Sequence, residues 1–160
     1  MNDIYSTPES KLVNSSEGDI DNFTRFSAWG VFGLSLITFG IYFMYWFYTR
    51  TAKLNEFHDN KISMKLVYTT LFIYVGYTIV SFLDESLYDN ELVLVGAMVV
   101  MLAYFILYLT WVFSFRSRIL DIAVEHGRAD FRINPVLTFF FQALYLQYKI
   151  NSYIDQKQNV

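Results

Sequence analysis

Three stretches of this chain, residues 26–48, 66–83 and 92–115, contain no charged side chain for 23, 18 and 24 residues respectively. An apolar helix needs about 20 residues to cross a hydrocarbon core of about 30 Å, so each run has the length for a crossing. A soluble fold of 160 residues would leave much of that surface facing water. Charged residues make up 17% of the chain and apolar ones 54%, against about 25% charged in ordinary soluble domains. The charges also stand in blocks between the runs. The pattern predicts an all-α membrane protein built as one domain.

Residues 1–25 are polar and hold Asp3, Glu9, Glu17, Asp19 and Asp21, which predicts a disordered acidic tail. With acids where a basic n-region would stand, no cleavable signal peptide is expected there. The membrane domain is placed at 26–151 and a polar C-terminal tail at 152–160. In segment one (26–48), Trp29, Tyr45, Trp46 and Tyr48 sit near the ends as interface anchors, and Gly30, Gly33 and Gly40 allow close contact or a bend. Its helix is expected to run on to about Phe57, with a break at Asp59-Asn60. Segment two is 66–83 and segment three 92–115, joined by the acidic residues 84–91. Beyond segment three the helical pattern continues to a natural stop at Gly127. Pro135 opens segment four (136–148). Only 16 residues separate Arg132 from Lys149, about 24 Å of helix. That length admits an oblique crossing, a re-entrant dip or an interfacial position. The expected architecture is a compact bundle of four helical membrane segments, the fourth short.

The connections 49–65 and 116–134 each carry four Lys or Arg, and 84–91 carries none. The positive-inside rule then places 49–65 and 116–134 in the cytoplasm and 84–91 outside. Thr38-Phe39, Tyr45 and Tyr48 recur a hundred residues later as Thr138-Phe139, Tyr145 and Tyr148. With two spans between them, the copies would oppose each other as inverted repeats do in small transporters. The plainer reading is that aromatic-rich helices ending at an interface look alike.

The stretch Thr38-Phe39-Gly40-Ile41-Tyr42, followed by Tyr45-Trp46, Tyr48 and Leu54-Asn55, resembles the opening motif of a bacterial membrane-protein family known only as domain of unknown function 4234. Leu144-Tyr145-Leu146-Gln147-Tyr148-Lys149-Ile150-Asn151 resembles that family's terminal motif. The resemblance implies a multi-pass protein of the bacterial inner membrane and brings no activity with it. Phe43 stands where the family often has proline, and Gln142-Ala143 where it often has Gly-Pro, so no strong helix break is expected at either place.

Signs of chemistry are few. There is no cysteine, which excludes disulfides and thiolate metal sites. His58 and His126 each adjoin an acid, Asp59 and Glu125, without the local spacing of a metal motif. The apolar runs hold no ionisable Asp, Glu, Lys, Arg or His, the usual mark of ion paths. Ser35, Thr38, Ser81, Thr110 and Ser114 are expected to bond helix carbonyls. No catalytic residue, metal or cofactor is therefore assigned, and a non-enzymatic role through helix or lipid contacts is preferred, as an accessory or interaction protein. The alternative is a small transporter or channel built on segments one and four, with Tyr42, Tyr45 and Tyr145 lining a cavity. A membrane enzyme ranks third; clustering of the two histidines and their acids would reopen it. Arg50, Lys53, Arg116 and Arg118 are candidate contacts for anionic lipid headgroups. The expected partners are the bilayer, and beyond it another protein or a second copy; no nucleic acid is implied.

Overall fold

In the computed structural model, which describes residues 18–82 and 90–158, the longest uncharged run becomes the longest helix. Five helices follow in order: α1 (Ala28–Ile37), α2 (Ile41–Phe57), α3 (Met64–Ser81), α4 (Glu91–Glu125) and α5 (Pro135–Gln158), with a short 3-10 turn (Ile20–Asn22) before them. The described residues contain no strand. The predicted starts and stops have visible causes. Asn134 Oδ1 accepts the amides of Val136 and Leu137 around Pro135. Gly127, at φ 76°, ends α4 with Arg128 N bonded to Ala123 O at 2.8 Å and Gly127 N to Val124 O at 3.0 Å, the paired bonds of a Schellman stop. The five hydroxyls expected to bond their own helices do so, each at 2.7 or 2.8 Å.

Segment one is not a single spanning helix. Helix α1 ends in another Schellman pair, Gly40 N to Ser35 O (2.7 Å) and Phe39 N to Leu36 O (3.3 Å), with Phe39 and Gly40 both left-handed at φ 51° and 88°. The chain then doubles back. Arg50 Nη2 reaches Thr24 O at 2.9 Å across 26 residues, a contact that a straight helix of that length, about 39 Å, forbids. Absence of charge measures how long a run is but not whether it turns, so composition missed this hairpin.

Helix α5 also turns, at Gln142 (φ 38°, ψ −119°). The Phe131 and Tyr153 rings meet at 5.2 Å and Asn134 N donates to Tyr145 Oη at 3.0 Å, so its arms on either side of Gln142 are antiparallel. Segment four is therefore not one straight helix: the chain reverses within it. It does so without the family's Gly-Pro, correcting the expectation of no break there. The two Thr-Phe copies are not inverted. Thr38 stands on its turn, Thr138 four residues before its own, and after each turn the chain descends to the same end.

Both turns lie level with the centres of α3 and α4. Tyr74, in the middle of the second uncharged run, donates to Phe39 O at 3.5 Å. Tyr108 donates to Gln142 Oε1 at 2.5 Å, and Tyr104, near the middle of the third run, approaches Met44 S at 3.9 Å. On one side of this level α3 and α4 are packed by α1, α2 and α5 around fully buried Phe47, Trp111, Phe115, Ile119 and Leu146. On the other side the pair stands alone, with Phe72, Ile79, Phe82, Leu92, Val95 and Leu102 exposed. Both helices are long and apolar enough to cross a membrane, and only 11% and 6% of their most apolar windows is buried within the chain.

The tail boundaries also shift. Ile20 and Phe23 are buried, so the last part of the expected acidic tail is core; two apolar anchors were lost in a polar average. Residues 152–158 continue α5, with Tyr153 and Ile154 buried. The remainder of the acidic tail (1–17), most of the connection 84–91 and residues 159–160 lie outside the described residues.

Candidate lipid-facing site

The two family-like motifs meet in space. Gln147, fully buried, accepts from Trp46 Nε1 (2.9 Å) and Arg50 Nη2 (3.2 Å), and donates to Asn151 Oδ1 (2.9 Å). Asn151 Nδ2 in turn donates to Phe26 O at 2.7 Å. Trp46 is therefore buried in this network and is not an interface anchor, whereas Trp29 and Tyr45 are exposed. Thr38 Oγ1 donates to Leu34 O and accepts from Tyr42 N at 3.0 Å, bracing the turn at both ends. A Cβ on Gly40 would lie 3.5 Å from Tyr74 Oη, so backbone shape and not space selects glycine there. Asn55 holds the next connection by giving and receiving one bond with the Ile62 backbone (2.9 and 2.8 Å).

Remaining motif side chains lie near the charged end. The Tyr48 ring approaches Tyr68 at 6.4 Å, and Tyr148 stacks on Tyr145 at 6.5 Å. Lys149 Nζ sits 4.6 Å from the Phe131 ring centroid, and burial lowers its pKa.

A cleft of about 300 Å³ opens beside α2, lined by Thr24, Tyr42, Tyr45, Thr49, Arg50 and Lys53 among others. Arg50 is its central charge. The hydrogen-bond acceptors of this guanidinium are neutral, Thr24 O and Gln147 Oε1, and it lies 5.7 Å and 5.9 Å from the Phe23 and Trp46 ring centroids. Burial lowers its pKa, while the charges of Tyr42 and Tyr45 oppose that shift; a guanidinium nonetheless stays protonated at neutral pH. Arg50 has no carboxylate partner among the described residues. Lys53 pairs with exposed Glu56 at 3.3 Å.

Arg116 and Arg118 do not join this cleft. Arg116 clamps Ile133 O through two donors (3.0 and 2.6 Å), fixing the connection into α5. Arg118 pairs with Asp121 at 3.3 Å on its own helix. Tyr145 does not line the cleft with Tyr42 and Tyr45 either.

The histidines do come together. His58, Asp59, Glu125 and His126 line a second cavity of about 190 Å³. His58 Nδ1 lies 3.6 Å from Glu125 Oε2 and His126 Nδ1 lies 4.0 Å from Asp19 Oδ1. Among the described residues no three acids or histidines converge as metal ligands.

A family model, Domain of unknown function (DUF4234), matches residues 26–121. The chain belongs to the DUF4234 family. No match was found among curated proteins or among solved structures. The DUF4234 match takes in both arms of the first hairpin and the α2 side of the cleft, including Arg50 and Lys53; Asn22 and Thr24 on its other side and the terminal motif around Gln147 lie beyond it.

Sequence reasoning missed the tyrosines at mid-helix. Tyr74, Tyr104 and Tyr108 form a continuous stack, with ring centroids 6.1 and 5.9 Å apart, and the hydroxyls of Tyr74 and Tyr108 serve the two turns. The available signal was position: hydroxyls at the centre of an apolar run, away from any interface belt, need a polar partner. Trp111, a second omission, donates to Thr51 Oγ1 at 2.8 Å with both side chains fully buried.

Proposed function

We propose that this protein is an integral protein of the bacterial inner membrane, with α3 and α4 crossing the bilayer. The α1–α2 and α5 hairpins enter from the cytoplasmic side, reach mid-depth and return. In this reading the protein is non-enzymatic and acts through lipid, its cleft at Arg50 and Lys53 taking the anionic headgroup of a phospholipid. The observation that carries the placement is the level of the two turns. They meet Tyr74, Tyr104 and Tyr108 near the centres of the runs, while the basic residues of both connections gather at the opposite end of the hairpins. Freed backbone groups survive at membrane depth only where protein satisfies them; Thr38 Oγ1 takes the Tyr42 amide, Tyr74 donates to Phe39 O, and Gln142 Nε2 donates to Phe139 O. The headgroup assignment rests on Arg50, a half-buried cation with neutral partners beside a second cation. An uncompensated buried charge favours an anion.

Cysteine substitutions test the topology, since the chain has none of its own. Asn60→Cys should label with an impermeant maleimide from the cytoplasmic face only, Asn90→Cys from the outer face only, and Phe39→Cys from neither. Labelling of Phe39→Cys from the outer face would mean that segment one crosses, and would overturn the hairpin. For the cleft, Lys53→Gln should weaken anionic-lipid binding in nanodiscs roughly fivefold, the equivalent of about 1 kcal/mol per cation. Unchanged binding removes the headgroup role.

A further inference from the structure

The two hairpins thicken one half of the molecule only. Between the level of Tyr104 and that of Phe115, α3 and α4 are accompanied by α1, α2 and both arms of α5. Beyond that level, residues 75–81 and 91–103 stand without neighbours other than each other, and side chains such as Val75, Ile79, Leu92, Val99 and Leu102 are exposed. A helix about 10 Å across occupies roughly 80 Å² in the membrane plane. Six rods in one leaflet and two in the other therefore differ by about 300 Å². We infer that the protein is a wedge that favours bilayers curved so that the leaflet holding the hairpins is expanded, its convex face being the one that carries residues 58–63 and 126–134. This inference rests on the membrane placement proposed above.

Two features make the thick end resist compression, so that lipid must yield. Its interior is closed by Phe47, Trp111, Val112 and Phe115, all fully buried, and close-packed interiors are stiff. Its turns present large apolar groups to the acyl chains at mid-depth: Phe39 is 93% exposed, Ile37 75% and Phe140 70%. Material held in one leaflet responds to curvature, as interfacial helices do. A bundle crossing both leaflets equally would not.

The test uses the full chain reconstituted in parallel into small sonicated and large extruded vesicles of one lipid composition, with orientation read from impermeant-maleimide labelling of Asn60→Cys and Asn90→Cys. In small vesicles Asn60 should face outward in excess by at least about threefold, a bias of roughly 0.7 kcal/mol, and the excess should fall towards parity in large ones. Equal orientation ratios in the two sizes overturn the wedge. Phe39→Cys in the same vesicles separates the failures. If it stays protected while the ratios are equal, the placement stands and only the wedge falls. Labelling from the Asn90 side defeats both.

Discussion

Gln147→Leu should destabilise this fold by several times the cost of an ordinary surface substitution, although it changes little in volume. The side chain is fully buried and serves three partners: the Trp46 indole N–H, an Arg50 N–H and the Asn151 amide oxygen. Leucine is close in volume, so the cavity cost is small, and the loss lies in orphaned polar groups. An unsatisfied buried donor or acceptor costs about 1–3 kcal/mol. Trp46, almost wholly buried, bears most of that; half-buried Asn151 loses the donor to its Oδ1, while Arg50 keeps Thr24 O. The sum is about 3 kcal/mol. Gln147→Glu provides the contrast. Its carboxylate accepts from Trp46 and, with charge assistance, from Arg50, losing only the donation to Asn151, so it should cost no more than about 1 kcal/mol. It should also weaken anionic-lipid binding, because Arg50 then has an internal counter-charge. Equilibrium unfolding in mild detergent, followed by tryptophan fluorescence, gives both free energies. A leucine variant within about 1 kcal/mol of the parent, or a glutamate variant less stable than the leucine one, would refute the network's role.

Tyr108→Phe removes the donor to Gln142 at the second turn and should cost about 1–2 kcal/mol in the same unfolding assay; no change would mean that the turn needs no mid-depth partner. Thr51→Val strands the Trp111 indole N–H in the core and should lower the melting temperature by an amount equivalent to about 1–3 kcal/mol. Phe39→Gly relieves a left-handed φ that costs a side-chain-bearing residue about 1–2 kcal/mol, so the isolated protein in detergent should become more stable. A clear loss of stability would locate the turn elsewhere. Tyr153 has its pKa raised by burial, by a hydrogen bond with Asp19 and by the nearby acids, against the opposing charge of Arg128. A group that holds its proton more tightly when folded stabilises fully below its unfolded pKa and loses that contribution as pH rises. Stability should therefore fall above about pH 10, and Tyr153→Phe should flatten that alkaline decline.

The parts of this architecture legible in sequence were those that composition measures. Uncharged length located α3 and α4 to within two residues at each described end, except where α4 runs on to Glu125; Pro135 and Gly127 marked their boundaries through backbone chemistry. The hairpins escaped because a turn needs only one or two residues to leave the helical region. At the first turn Gly40 offered a signal, though a glycine also serves as a contact point. At the second turn the residues themselves offered none, and the family's Gly-Pro was discounted because Gln142-Ala143 replaces it. Gln142 reaches an unfavourable backbone conformation that no side-chain preference announces, held by Tyr108 from 34 residues away. The same limit applies to the site. Arg50 and Lys53 share a cleft because they are neighbours on α2, whereas Arg116, three turns before the end of α4, is drawn away by a carbonyl of the following connection.

The mid-helix tyrosines explain why the hairpins stop where they do. In the membrane placement proposed above, a chain reversing inside hydrocarbon would expose carbonyls that neither lipid nor water can satisfy there. It could turn only at a depth where the crossing helices carry donors. Phenylalanine at positions 74, 104 and 108 would give equal hydrophobicity and equal stacking, with no donor for Phe39 O or Gln142 Oε1. In that placement, depth would be set by the two hydroxyls of Tyr74 and Tyr108 rather than by the lengths of α1 and α5. Moving the donor should move the turn: Tyr108→Phe combined with Thr110→Tyr shifts the hydroxyl by about 3 Å along α4, but also by two residues around it, onto a face that α5 does not reach. The double variant should therefore recover none of the stability lost by Tyr108→Phe alone. Full recovery would show that any hydroxyl at that depth suffices, and that the stacked column has no directional role.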